Sequence, residues 1–427
     1  MINNLIQTLY NLADGVWVSK ISSVHFAATA LVFPVAFLFI SLGIGISIAG
    51  ASILSQLIGA SDYESAKEYA TQIAVVSLIV SIVFAALGYI LSPIVIRLMG
   101  AKGLLAELSI IYLKITFLDM PFTYMFFVVN SIMNAQGNMV IPTILSGISA
   151  VLNIVLDPVF IFTFNMGIAG AAIATLISKA ILAFSGFYIL MKSPTFIKPE
   201  FSKFNFNKKI IRKVFKVGLP ASVGQSGAAV GFIVLNSFIA SYGTSTIAAF
   251  GMVNRITALI MQPAMGVGAA LTSIIGQNIG SNQINRAKEA FNKSIYLTVS
   301  FSVIGCIILL WKDKPVINFF MQSKDDITVI SQGITYLRYI TVSMPLMGIF
   351  SVIQGFLQGT GHTKYSMARE IGRLWFIRLP MKLLFKYYTS IGSTGIWFSM
   401  SFSNLLVCVY GYVIYRKGLW QYNIIRT

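Results

Sequence analysis

The sequence predicts an all-α polytopic membrane protein, with twelve transmembrane helices in two parallel six-helix repeats. Three observations carry this expectation. Of 427 residues, 56% are hydrophobic and only 10% charged, with a mean hydropathy of +0.81; a soluble domain holds about 25% charged residues. Apolar runs of about 20 residues, each long enough to cross a hydrocarbon core of about 30 Å, recur along the chain. Stretches of the first half also reappear in the second at a nearly fixed offset. Backbone groups in lipid need internal partners, which favours helices, and the short alternating strands of a barrel are not seen.

Taken in order, the first span, 2–19, holds Tyr10 and Asp14 one turn apart. The second, 26–56, carries Gly43, Gly45 and Ala49, and the third is 70–92. The fourth, 108–135, contains Asp119, Pro121 and Asn130. The fifth, 140–163, contains Asn153, Asp157 and Pro158 within NIVLDPVFIF, and the sixth, 168–191, contains Thr175. These six make an N-terminal lobe, 1–191. A basic inter-lobe loop follows, 192–213, with Lys192, Lys198, Lys203, Lys208, Lys209, Arg212 and Lys213.

The C-terminal lobe, 214–427, begins with the span 214–240, where GLPASVG opens the helix and Gly227 and Gly231 form a small-xxx-small pair. The spans 246–277 (with Arg255, Gly266, Gly268 and Ala270), 291–311, 332–357, 365–386 and 394–416 complete the set. Small residues at these spacings predict close helix packing. Glu370 lies near the start of the eleventh span.

The internal repeat is explicit. SQLIGASDYESAKEYA, from Ser55, matches GQNIGSNQINRAKEAF, from Gly276: Gln56, Gly59, Ala66, Lys67 and Glu68 meet Gln277, Gly280, Ala287, Lys288 and Glu289. The segment from Pro121 to Gly137 parallels that from Pro345 to Gly361. An even number of helices per repeat makes the two units parallel, and such repeats hold ligand sites near their interface or the bilayer midplane. The counterpart of GLPASVG falls at or before residue 1, so the first helix is expected to be truncated at its start.

Charge sets orientation rather than a nucleic-acid function. The net charge is +18, but the excess Lys and Arg lie in short loops. Roughly 17 fall on one side and roughly 7 on the other, which places both termini in the cytoplasm by the positive-inside rule. Cys306 and Cys408 both stand in apolar runs and support neither a disulfide framework nor a cysteine metal site, and His25 and His362 are isolated.

A charged side chain at the bilayer centre costs about 3 kcal/mol on insertion scales. The carboxylates inside apolar runs are Asp14, Asp119 and Asp157, all in the first half. Asp14 and Asp157 each lie roughly 8–9 Å below the outer boundary at 1.5 Å per residue, and Thr175 is at a similar level. Tyr10 shares a face with Asp14, and Asn153 with Asp157. Asn130 lies deeper toward the inside. Two such carboxylates with amide and hydroxyl neighbours suit a proton, or sodium held by Asp14, Asn153, Asp157 and Thr175. Pro158 frees a backbone carbonyl and lets the helix bend. Asp119 reads either as a satisfied polar group facing a neighbouring helix or as part of the site. Arg255 reads as a contact to the other half or as a snorkelling side chain.

LYNLAD (9–14), the AAxxxxxFP spacing at 27–34, SQLIGA (55–60), NAQGN (134–138), LNIVLDP (152–158) and GIAGAAIAT (167–175), in this order, resemble the multidrug and toxic compound extrusion (MATE) family. GLPASVGQ and IIGQNIGS in the second half fit as well, so the likeness covers nearly the whole chain. Acid in the first half alone resembles the DinF-like branch. The resemblance implies two V-arranged six-helix lobes and a drug/cation antiporter. It carries the family's first-lobe site onto Tyr10, Asp14, Asn130, Asn153, Asp157 and Thr175. The missing helix start and Asp119, at a position more often small, depart from the family pattern.

The resulting expectation is a cation-coupled multidrug efflux antiporter of the cell membrane. H+ or Na+ is the coupling ion, there is no other cofactor, and the protein is a monomer among membrane lipids. Its substrates are organic, often cationic, amphipathic molecules held at Tyr10, Asp14, Asn153 and Asp157. The rivals are a lipid-linked oligosaccharide flippase of related fold, a transport-inactive receptor or scaffold, and an intramembrane enzyme. For the enzyme, Asp325 and Asp326 offer only a solvated outer-loop pair.

Overall fold

The computed structural model describes residues 6, 14–193, 197–320, 327–421 and 424–425. Tyr10, the opening of the first span, Asp325 and Asp326 lie outside the described residues. Those described are overwhelmingly helical, with no strand among them. The chain divides into two compact units, Ile2–Ser226 and Gly227–Thr427.

The first unit begins with α1, described over residues 14–19, then α2 (Ser23–Gly59) and α3 (Tyr63–Leu98). α4 (Gly103–Leu118), α5 (Met120–Ala135), α6 (Val140–Pro158) and α7 (Gly167–Lys192) follow. α8 (Lys208–Ala240) starts in the first unit and runs into the second. Its GLPASVG opening, which the sequence places with the C-terminal lobe, belongs to the first unit by its contacts: Ser222 donates to the Leu42 carbonyl at 3.4 Å, and Ser226 bonds Ser41.

The second unit holds α9 (Thr244–Gly280), α10 (Ile284–Trp311), the short α11 (Asp313–Phe320), α12 (Ile327–Val342) and α13 (Met344–Gly359). α14 (Thr363–Ile371) passes through a π-helical stretch, Gly372–Arg378, into α15 (Leu379–Tyr388), and α16 (Ser393–Arg416) ends the bundle. Its core centres on Phe250, Tyr336 and Trp397, the last two stacked with ring centroids 4.1 Å apart.

Among the described residues, eight single helices are long and apolar enough to cross a membrane, as is the pair α12 and α13, bent by 50°. The spans expected at 108–135 and 332–357 are therefore each two helices, breaking at Asp119 and at Ser343. Both breaks fall two residues before a proline, Pro121 and Pro345, whose missing N–H suits the start of a new helix.

The sequence repeat has a structural counterpart residue by residue. α2 ends at Gly59 and α9 at Gly280; Ser61 and Asn282 then take left-handed backbone (φ 58° and 59°), and α3 and α10 start at Tyr63 and Ile284. α5 and α13 likewise end before left-handed Gly137 and Gly361. Small residues let the backbones approach. A Cβ on Gly355 would strike the backbone of Gly268, so α9 and α13 touch main chain to main chain. Gly227 and Gly231 lie against Ile371, Leu374 and Trp375.

In the first unit the inter-lobe loop folds back on the helix ends. Gln136 exchanges hydrogen bonds with the backbone of Ile197, both at 3.3 Å. Thr71 Oγ1 accepts from Glu200 N at 2.8 Å, Lys67 pairs with Glu200 at 3.2 Å, and Asn207 donates to Glu68 at 3.0 Å. The repeated Ala-Lys-Glu segment is thus the loop's anchor in this unit. Its hydrogen bonds to Glu64 and Glu200 hold the Lys67 ammonium above the usual lysine range. Arg255 is exposed on α9. Cys306 and Cys408 are free thiols that donate to the carbonyls of Thr341 and Leu346.

Candidate functional site

The described end of α1 is fixed by Val18, fully buried against Ile161 and Ala171 with Trp17 and Tyr112 around them. Ile161 belongs to a π-helical turn, Val159–Thr163, that continues α6 directly after Pro158. Proline offers no N–H to the carbonyl one turn back, so the helix widens here instead of continuing as α. α7 then crosses this turn closely: a Cβ on Gly170 would lie 2.7 Å from the Phe160 carbonyl. Only glycine permits that approach, which sets the register of Thr175 and Lys179 against α6.

On this frame Asn153 and Asp157 are fully buried, one turn apart on α6. Asn153 Nδ2 donates to Asp157 Oδ1 at 3.0 Å and to Thr175 Oγ1 on α7 at 3.3 Å. Asp14, half-buried on α1, is near enough to Asp157 for the two carboxylates to repel each other. Asp14 Oδ1, Asn153 Oδ1 and Asp157 Oδ2 are buried with no hydrogen-bond partner among the described residues. Buried acceptors with nothing donating to them are costly and suit a proton or a hard cation.

The structure therefore brings together Asp14, Asn153, Asp157 and Thr175. Asn130 is half-buried on α5 and shares no hydrogen bond with them among the described residues. Tyr10 lies outside the described residues.

A cation that the sequence reading passed over stands beside this group. Lys179, one turn after Thr175 on α7, reaches Asp119 Oδ2 at 2.8 Å and attracts Asp14. Asp119 is 1% exposed, and its other oxygen accepts from Thr123 Oγ1 at 2.9 Å. Asp119 is thus a satisfied polar group facing a neighbouring helix. The signal for Lys179 was its i+4 spacing from Thr175, as the one charged residue within the span 168–191.

The MatE family model matches residues 1–159 and 220–384. The chain is 27% identical over 424 residues to the probable multidrug resistance protein YpnP of Bacillus subtilis, covering 99% of this chain and 93% of that one. It is also 27% identical to the multidrug export protein MepA of Staphylococcus saprophyticus, covering 94% of this chain and 87% of the relative. A crystal structure of a MATE in complex with MaL6 superposes with a TM-score of 0.92 at 28% identity, covering 100% of this chain and 95% of the other.

Proposed function

This chain belongs to the MatE family, and from that premise we propose that it is a cation-coupled multidrug efflux antiporter of the DinF-like branch, seated in the cell membrane with both termini in the cytoplasm. The observation that carries the coupling role is the trio of buried acceptor oxygens on Asp14, Asn153 and Asp157 with no donor among the described residues. A proton or Na+ taken from outside cancels one of the two charges and so relieves the repulsion within this pair, and its loss restores the repulsion. The two states then differ in free energy by the interaction of the ion with the site, which is what a ligand needs to shift a conformational equilibrium. The names of YpnP and MepA support multidrug export as the outcome.

Asp157 and Asp14 bind the ion in this reading. Asn153 orients Asp157 and ties it to Thr175. The branch assignment is supported by the placement of acid: of the described carboxylates in the second unit, Glu289 pairs with Lys293, Asp313 with Arg338 and Glu370 with Arg373.

The test is purified protein in liposomes under an imposed pH or sodium gradient, scored by movement of a fluorescent organic cation. Gradient-dependent transport that Asp157→Asn and Asp14→Asn both abolish is the expected result. Transport by both variants at the parental rate removes the site assignment.

A further inference from the structure

The fifth span of each repeat carries charge, but of opposite sign. In the first unit it is α6 with Asp157. In the second it is α14, the π-helical stretch and α15, where Arg369, Arg373, Arg378 and Lys382 are all buried, at 1%, 9%, 4% and 0% exposure. Their spacing puts them along one side of the helix, and each repels the next in line: Arg369 with Arg373, Arg373 with Arg378, Arg378 with Lys382.

Among the described residues, one carboxylate meets these four cations. Glu370 lies 3.1 Å from Arg373. The other described acids of this unit are committed to Lys293 and Arg338. Arg369 leans instead on neutral groups: the Phe350 carbonyl at 2.9 Å, Gln354 Oε1, and the Phe350 ring at 3.8 Å. Arg378 uses Ser403 Oγ at 3.0 Å, Asn404 Oδ1 at 3.2 Å and the Met400 carbonyl at 3.4 Å. Lys382 Nζ has no partner at all among the described residues, and the Nε atoms of Arg369 and Arg373 have none either.

Snorkelling does not explain this arrangement, because a snorkelling head reaches water and these heads are buried. Nor does folding stability, since an unpaired buried cation opposes it. Charge and donor geometry point instead to an oxyanion: guanidinium forks and an ammonium match the oxygens of phosphate or carboxylate. Two further features fit. The π-helical stretch at Gly372–Arg378 widens the backbone where the arginines stand, a distortion common at functional sites. A Cβ on Gly372 would meet nothing within 4 Å, so space is open beside it. The same helix exposes Phe376, Leu383 and Leu384, so a molecule reaching the cluster through the bilayer needs an apolar part.

We propose that the buried side chains Arg369, Arg373, Arg378 and Lys382 form a binding site for the anionic head, phosphate or carboxylate, of an amphiphile. Lys382 is the central contact. The site shares no residue with the Asp14–Asp157 group and stands or falls without it.

The experiment uses the full chain in nanodiscs of phosphatidylcholine, with thermal unfolding read against two amphiphiles of equal tail, dodecyl phosphate and dodecyltrimethylammonium. Dodecyl phosphate is expected to raise Tm, and its ammonium counterpart is not. Lys382→Met is expected to fold, because it removes an unpaired buried charge, and to lose about tenfold in apparent affinity for dodecyl phosphate, as loss of one charge-assisted contact implies. Asp157→Asn keeps the full response. Equal shifts from both amphiphiles, a Lys382→Met response matching the parent, or loss of the response in Asp157→Asn would each overturn the proposal. Repeating the titration in phosphatidylglycerol nanodiscs separates the sources. A Tm already raised, with no further response, identifies a lipid head; an undiminished response identifies a mobile organic anion.

Discussion

Lys179 Nζ and Asp119 Oδ2 are 2.8 Å apart, and through this pair a fixed positive charge is held next to Asp14. Asp119 stands at the break between α4 and α5, where the second repeat has Ser343 at the break between α12 and α13. The same helix break thus serves a counter-charge in one unit and a neutral hydroxyl in the other. The carboxylate fixes Lys179 by charge while Thr123 fixes the carboxylate by a hydrogen bond.

Removing one member of this pair is more harmful than removing both. Asp119→Ala leaves the ammonium uncompensated beside the site, and breaking a buried pair in this way costs about 3–5 kcal/mol. Lys179 is part-exposed at 23%, so the effect falls at or below the lower end of that range. The double variant Asp119→Ala/Lys179→Met removes both charges and is expected to recover most of the loss. Thermal unfolding of the four proteins of this cycle in one detergent gives the coupling directly, and additive losses would show that the pair does not interact.

Asn153 is the link between Asp157 and α7, because one amide nitrogen serves Asp157 and Thr175 together. Asn153→Ala is expected to lower gradient-driven transport about tenfold, the effect of one hydrogen bond to a charged group. Thr175→Val is expected to do less, since Asp157 keeps its donor. Proteoliposome rates at matched protein content measure both. A larger loss in Thr175→Val than in Asn153→Ala would place the main contact on α7 instead.

Much of this was legible in the sequence. Apolar runs gave the spans, and the repeat at Ser55 and Gly276 gave paired helix ends that the structure places at Gly59 and Gly280. Asn153 and Asp157 were readable as one face because four residues make about one helical turn. The cations were not. Lys and Arg within a span ordinarily snorkel, so their presence alone says nothing about burial; tertiary packing decided that Arg378 and Lys382 face inward. The helix breaks at Asp119 and Ser343 were hidden for a related reason, since a proline near a helix start and one inside a long helix look alike until the backbone is traced.

Gly170 positions the site through backbone contact. A Cβ there would lie 2.7 Å from the Phe160 carbonyl, main chain that has no rotamer by which to yield. Gly170→Val is therefore expected to cost about 1–3 kcal/mol, as overpacking does, and to separate α7 from the π-helical turn. Thr175 and Lys179 would then lose register with Asn153 and Asp119. The expected readout is a lowered Tm together with lost coupling. A fall in Tm with undiminished gradient-driven transport would mean that this contact serves packing alone.

The inter-lobe loop is held to the first unit by contacts that can be removed singly. Gln136 is the strongest candidate, because its amide closes a two-way pair with the backbone of Ile197, while Lys67, Glu68 and Thr71 hold residues 200–207. The Lys67 pair is part-exposed and screened, and pairs of that kind contribute little. Gln136→Ala is accordingly expected to release residues 197–207 for proteolysis more than Lys67→Ala does. Limited trypsin digestion of the purified protein, followed by mass measurement of the fragments, ranks the two variants. The opposite order would show that charge at the helix end, and not the amide pair, fastens the loop.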